Sequence, residues 1–192
     1  MTSGDVLDVV ERLRAAGIDF WIEGGWGIDA LLGEQTRAHD DLDLGVRMDD
    51  VARIQPALGG FRRSDVEWPS SVVFEDDAGR KVDAHPLTFD ERGDGWQANA
   101  DGGVPYRWPR EGLTGRGKIA GVDVPCISAE LQLRWHMYSE FDDVDWRDVH
   151  ILCQRFGLDM PGQFRQPPGF VARKRRTAGS EMSREMGTSS RD

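Results

Sequence analysis

Apolar residues recur at helical spacing in Val6, Leu7, Val9, Val10 and Leu13. This predicts an amphipathic helix over residues 5–16, ended by Gly17. Ile18 to Ile22 is a short apolar run that reads as a strand leading into Gly24-Gly25. Ile28 to Leu32 reads as a short helix closed by Gly33. From Asp41 to Val46 the pattern alternates, with Leu42 and Leu44 on one face and Asp41 and Asp43 on the other. Met48-Asp49-Asp50 begins a second helix that stops at Gly59-Gly60. Phe61 to Val66, Ser71 to Glu75 and Lys81 to Ala84 read as further strands, with a hairpin turn at Asp76, Asp77 and Gly79.

The stretch from Asp90 to Thr114 is rich in Gly, Pro and Trp and reads as loop with a short ribbon. Its aromatics Trp96, Tyr106 and Trp108 either cover the sheet edge or wall a substrate cleft. Lys118 to Val124 alternates as a strand. Ser128 to Ser139 and Val144 to Phe156 then form a pair of helices, with Ser128 as N-cap of the first. Beyond Phe156 the periodicity ends, and prolines give way to a charged, weakly apolar stretch. The expected division is one domain over 1–157, including the C-terminal helices, and a flexible, disordered tail over 158–192. Strands mixed with helices in this order predict an α/β (α+β) chain: a mixed central sheet, flanking helices and a C-terminal helical pair.

The 192 residues are enough to bury a proper core. Net charge is −10, but the tail from Arg165 carries +4, which leaves the first 164 residues at −14. So acidic a body repels nucleic-acid backbones and suits a cationic partner. The run Arg173-Lys174-Arg175-Arg176 reads as a solvated terminus. Cys126 and Cys153 lack metal-binding spacing and sit in apolar surroundings, as buried free thiols of a reducing cytoplasm do. The N-terminus lacks a basic start and an apolar segment, so no signal peptide is expected, and no apolar run reaches membrane-spanning length.

Two carboxylates on one face of a strand suit a hard divalent cation, which takes oxygen ligands. A glycine turn opening a helix suits phosphate, because backbone N–H groups and the helix dipole both favour an anion there. Gly24 and Gly25 therefore read as a phosphate-approach turn, and Asp41 and Asp43 as metal ligands. Arg37 is the best local partner for a triphosphate, since guanidinium binds phosphate bidentately. His39 either bonds phosphate or braces the strand, and Asp29 either caps or contacts ligand. Asp40 points to the opposite face from Asp41 and falls outside the site. The patch Glu140, Asp142, Asp143, Asp145 and Asp148 favours a helix N-terminus. Asp145 and Asp148, three apart, are also candidates to bind an acceptor amine.

The string GGWGIDALLGEQTRAHDDLDL, with VDAHP further on, resembles the nucleotide-binding motif of antibiotic nucleotidyltransferases in the polymerase-beta-like superfamily. The similar branch holds lincosamide nucleotidyltransferases and aminoglycoside 2''-adenylyltransferases. The resemblance runs from Val6 to Phe156, and GKIAGVDVPCISAELQLRWH shares it. It implies the nucleotidyltransferase fold, with Asp83 as the third carboxylate of a catalytic, metal-binding set Asp41, Asp43 and Asp83. It also implies two Mg²⁺ ions, ATP as co-substrate, and transfer of AMP to a hydroxyl of a small, cationic antibiotic, which confers resistance. His85, two residues after Asp83, is expected to brace it. The competing functions are modification of a protein or RNA, as in toxin–antitoxin pairs, and a non-catalytic nucleotide-binding module.

Overall fold

The computed structural model describes residues 1–64, 67–138 and 142–167. Glu140 and the basic run at 173–176 thus lie outside the described residues. The chain divides into two compact units, Met1–Trp135 and His136–Asp192.

The first unit opens with α1 (Ser3–Ala15), where Thr2 and Asp5 form a reciprocal capping box. There follow β1 (Phe20–Ile22), α2 (Gly24–Leu32), β2 (Asp41–Arg47) and α3 (Val51–Leu58). Next come β3 (Arg62–Ser64), β4 (Val72–Glu75), β5 (Lys81–Phe89), β6 (Gly95–Gln97) and β7 (Tyr106–Trp108). A hairpin of β8 (Arg116–Ile119) and β9 (Val122–Pro125) leads to α4 (Ala129–Trp135). The main sheet has the order β1-β2-β5-β4-β3, with β6 and then β7 added beyond the far end of β5. β2 and β5 run parallel, and the other pairs are antiparallel.

Side-chain alternation gives this sheet two unlike faces. Leu42, Leu44, Val46, Val82, Ala84, Val72 and Phe74 are fully buried on one face. They share a core with Val6, Val9, Val10 and Leu13 of α1 and Val51, Ile54 and Leu58 of α3. The opposite face carries Asp41, Asp43 and Gly45 of β2 beside Lys81, Asp83 and His85 of β5. It is part-covered by a second cluster of Leu87, Trp108, Leu113, Ile127 and Leu131. A side chain at position 45 would press into Trp108, since a Cβ there stands 2.7 Å from its ring. Glycine at 45 therefore lets the indole close over β2 next to the carboxylates.

Several sequence expectations change. α2 starts at Gly24 rather than Ile28, so the two glycines form its first turn. β5 continues to Phe89, well past Ala84. The segment Lys118–Val124 is the middle of a hairpin, not one strand, because Ala120 and Gly121 both take positive φ and reverse the chain. Trp108 is fully buried and walls no cleft. Tyr106 packs edge-on to Trp135 at 6.1 Å between centroids. Ser128 does cap α4, its Oγ accepting from the Leu131 N–H at 3.3 Å. Cys126 and Cys153 are free and buried.

In the second unit, α5 (Asp143–Phe156) begins with a capping box between Asp142 and Asp145 and ends at Gly157 in the left-handed region. A single 3₁₀ turn follows at Gly162–Phe164, and Phe164 is fully buried. Helical structure thus extends to 164, seven residues past the expected domain end at 157. Among the described residues, no helix is long and apolar enough to cross a membrane.

Candidate active site

The parallel pairing of β2 with β5 assembles the acidic group. Asp41 is the register partner of Lys81, and Asp43 that of Asp83. Neighbours in register point to the same face, so Asp83, distant in sequence, stands with Asp41 and Asp43 on the open one. Lys81 Nζ donates to Asp41 Oδ2 at 3.1 Å. The Ser71 hydroxyl donates to Asp83 Oδ1.

Glu23, the last residue before α2, completes the group. Its carboxylate accepts from His85 Nδ1 at 2.6 Å, and His85 Nε2 stands 3.8 Å from Asp83 Oδ1. His85 thus stands between two carboxylates, hydrogen-bonded to Glu23 and close to Asp83. Burial works against its charge, but Glu23, then Asp83 and Asp43, raise its pKa to about 9. Asp43 shows the opposite effect of crowding. Burial, followed by repulsion from Glu23 and Asp41, pushes its pKa up to about 7. Glu23 went unnoticed in the sequence, although its place between the β1 run and Gly24-Gly25 was a signal.

The glycines fit close contacts. Gly24 has φ +57°, and a Cβ on it would lie 2.1 Å from Asp43 Oδ2. A Cβ on Gly25 would lie 2.3 Å from His39 Nδ1 and 2.8 Å from Arg37 Nη2. The first turn of α2 is therefore bracketed by Asp43 on one glycine and by His39 and Arg37 on the other. Gln132 of α4 also approaches this turn, its Nε2 lying 3.4 Å from the Gly24 carbonyl.

His39 is buried, and its Nε2 pairs with the Asp29 carboxylate. Asp29 also accepts from the Thr36 N–H at 3.0 Å and its hydroxyl at 2.6 Å. The His39 ring rests on Trp26 at 4.8 Å. Both residues brace the loop that carries Arg37. Asp145 directs one carboxylate oxygen to the Asp142 N–H at 3.0 Å and the other to His136 Nδ1 at 2.9 Å. The His136 bond, outweighing burial, lowers its pKa. Asp148 is buried. The structure thus gives Asp145 a capping task, and neither residue of the pair is an open carboxylate on the helix.

Among the described residues, no three His, Cys, Asp or Glu side chains form a ready metal cage. Magnesium does not require one. It keeps waters and binds through one or two carboxylates plus substrate phosphates. The crowding that holds Asp43 near neutrality is a repulsion that a divalent cation relieves, so the donor set fits such an ion.

The model of the aminoglycoside-2''-adenylyltransferase family matches residues 5–152. A lincosamide resistance protein of Staphylococcus haemolyticus is 28% identical over 146 residues, 75% of this chain and 88% of the relative. A 2''-aminoglycoside nucleotidyltransferase of Escherichia coli is 31% identical over 165 residues, 81% of this chain and 88% of the relative. Among solved structures, a lincomycin-bound lincosamide antibiotic adenylyltransferase superposes with a TM-score of 0.69 at 25% identity, covering 79% of this chain and 96% of that one. With most of its length matched, the chain belongs to the aminoglycoside-2''-adenylyltransferase family of nucleotidyltransferases.

Proposed function

We propose that this enzyme transfers AMP from ATP to a hydroxyl of a small antibiotic of the aminoglycoside or lincosamide type, with Mg²⁺ held by Asp41, Asp43 and Asp83. The carrying observation is the Asp43–Asp83 register, which brings three aspartates from two strands onto one open face. The names of the relatives above support the acceptor class. The acidic body supports a cationic acceptor.

In the transfer, the acceptor oxygen bonds to the α-phosphorus as the bond to the β-phosphate oxygen breaks and pyrophosphate leaves. Divalent metal bound by the aspartates supplies positive charge for the entering and leaving oxygens. Gly24 and Gly25 let the helix N-terminus approach phosphate without a side chain between. Arg37, positioned over Gly25 by the Asp29–His39 brace, supplies a guanidinium for the triphosphate. Asp83 accepts the hydroxyl proton, while Ser71 and His85 fix its orientation. Most of the rate gain comes from this positioning and charge neutralisation.

The test supplies labelled ATP and Mg²⁺ with an aminoglycoside, a lincosamide, or a mixture of protein and RNA. Label on one of the two antibiotics is the expected result. Label only on macromolecule, or on nothing, overturns the proposal.

A further inference from the structure

Lys81 is the first residue of β5 and stands in register with Asp41, the first residue of β2. Its ammonium donates to Asp41 Oδ2 at 3.1 Å, with the two side chains 38% and 34% exposed. Glu75 is its register partner across β4, and Asp83 lies two residues on along the same face of β5. Lys81 is thus a cation seated among the carboxylates that the proposed function gives to metal. A half-exposed ammonium on a four-carbon stem is held less firmly than a buried one, and can swing to another anion.

The geometry points to Lys81 as a displaceable counter-ion: it holds Asp41 before ligands bind, competes there with divalent metal, and moves to a phosphate oxygen when the nucleotide arrives. One positive charge thereby serves two anions in turn. Before binding, it lowers the repulsion among Asp41, Asp43 and Asp83. With nucleotide bound, the phosphates add negative charge and metal takes the aspartates, so the ammonium is better placed on phosphate. The inference rests on the metal-binding reading of the aspartates and adds a residue whose removal shifts metal and nucleotide affinity in opposite directions. A side chain that only supported the strand would weaken both together.

The experiment measures Mn²⁺ binding by electron paramagnetic resonance in wild type, Lys81→Met, Lys81→Arg and Asp43→Asn, all shown folded by circular dichroism. It then measures binding of a non-transferable ATP analogue with Mn²⁺ present. In Lys81→Met, Mn²⁺ alone should bind roughly tenfold tighter and the nucleotide roughly tenfold weaker. Lys81→Arg should restore most of the nucleotide affinity. Mn²⁺ affinity in Lys81→Met that is equal to or below wild type, including no binding by either, overturns the inference, as does unchanged nucleotide affinity. Failure of the metal reading has a separate signature: Asp43→Asn then binds Mn²⁺ as wild type does.

Discussion

Asp43 and Asp83 are direct partners across the parallel junction of β2 and β5, although 40 positions separate them in the chain. On its other side, Asp43 presses against Gly24, whose missing side chain leaves room for its Oδ2. The elements proposed to hold metal and to approach phosphate therefore meet at one carboxylate.

Asp43→Asn should lower turnover at least about a hundredfold, because it removes charge that neutralises the transferring group. Its melting temperature without metal should equal or exceed wild type, since the amide relieves repulsion from Glu23 and Asp41. Steady-state kinetics at saturating ATP and Mg²⁺, with calorimetry in chelator, checks both. Wild-type turnover would remove Asp43 from the site.

The raised pKa of Asp43 also sets a pH dependence. Its folded value of about 7 lies above the ordinary carboxylate value of 3.8, so the folded chain holds the proton more tightly. Stability from this residue is therefore lost as pH rises from about 4 through about 7. His85 contributes stability that is full below about 6.5 and fades only as pH climbs through about 9. In chelator, melting temperature should fall between pH 5 and 8, and the fall should shrink in Asp43→Asn. Divalent metal must displace the Asp43 proton, so its affinity should rise with pH up to about 7.

Substitutions at the two glycines should differ in kind. Gly24→Ala forces a left-handed residue and drives a methyl into Asp43, so both melting temperature and turnover should drop. Gly25 has no positive φ, and its methyl would push on His39 and Arg37. Gly25→Ala should therefore raise KM for ATP more than it lowers kcat. Equal effects on KM in the two variants would count against Arg37 as a triphosphate contact.

Truncation locates the end of the folded chain. Stopping after Arg165 keeps the buried Phe164 and should leave melting temperature and turnover unchanged. Stopping after Gly157 removes Phe164 and should cost about 3–5 kcal/mol, the usual scale for losing a buried aromatic. Chemical denaturation of both truncations decides where the boundary lies.

The sequence made Asp41, Asp43 and Asp83 legible for two reasons. Strand alternation puts the first two on one face, and the spacing of GG, D-x-D and V-D-A-H-P resembles a known motif. The Glu23–His85 bond was out of reach, because it joins the end of β1 to the far side of β5 and follows from strand order. Trp108 reads as loop with a short ribbon from its Gly- and Pro-rich neighbours, and its place in a core depends on the room that Gly45 leaves on a strand distant in sequence. The hairpin at Ala120–Gly121 was hidden inside an alternating stretch, since alternation persists on both sides of a tight turn. For Asp145 the charge was visible in the sequence, and its bonds to the Asp142 N–H and to His136 were not.

The two unlike faces of the sheet bear on folding as much as on chemistry. If β2 slipped by one residue against β5, Asp41 and Asp43 would turn into the core beneath α1 and α3, and Leu42 and Leu44 would turn out to water. Burying two unpaired carboxylates in that apolar layer costs several kcal/mol, comparable to the whole stability of a domain this size. The residues proposed to handle the nucleotide thus also proofread the pairing of their own strands. A variant that neutralises Asp41 and Asp43 together loses that check, and its misassembled forms become less costly to populate.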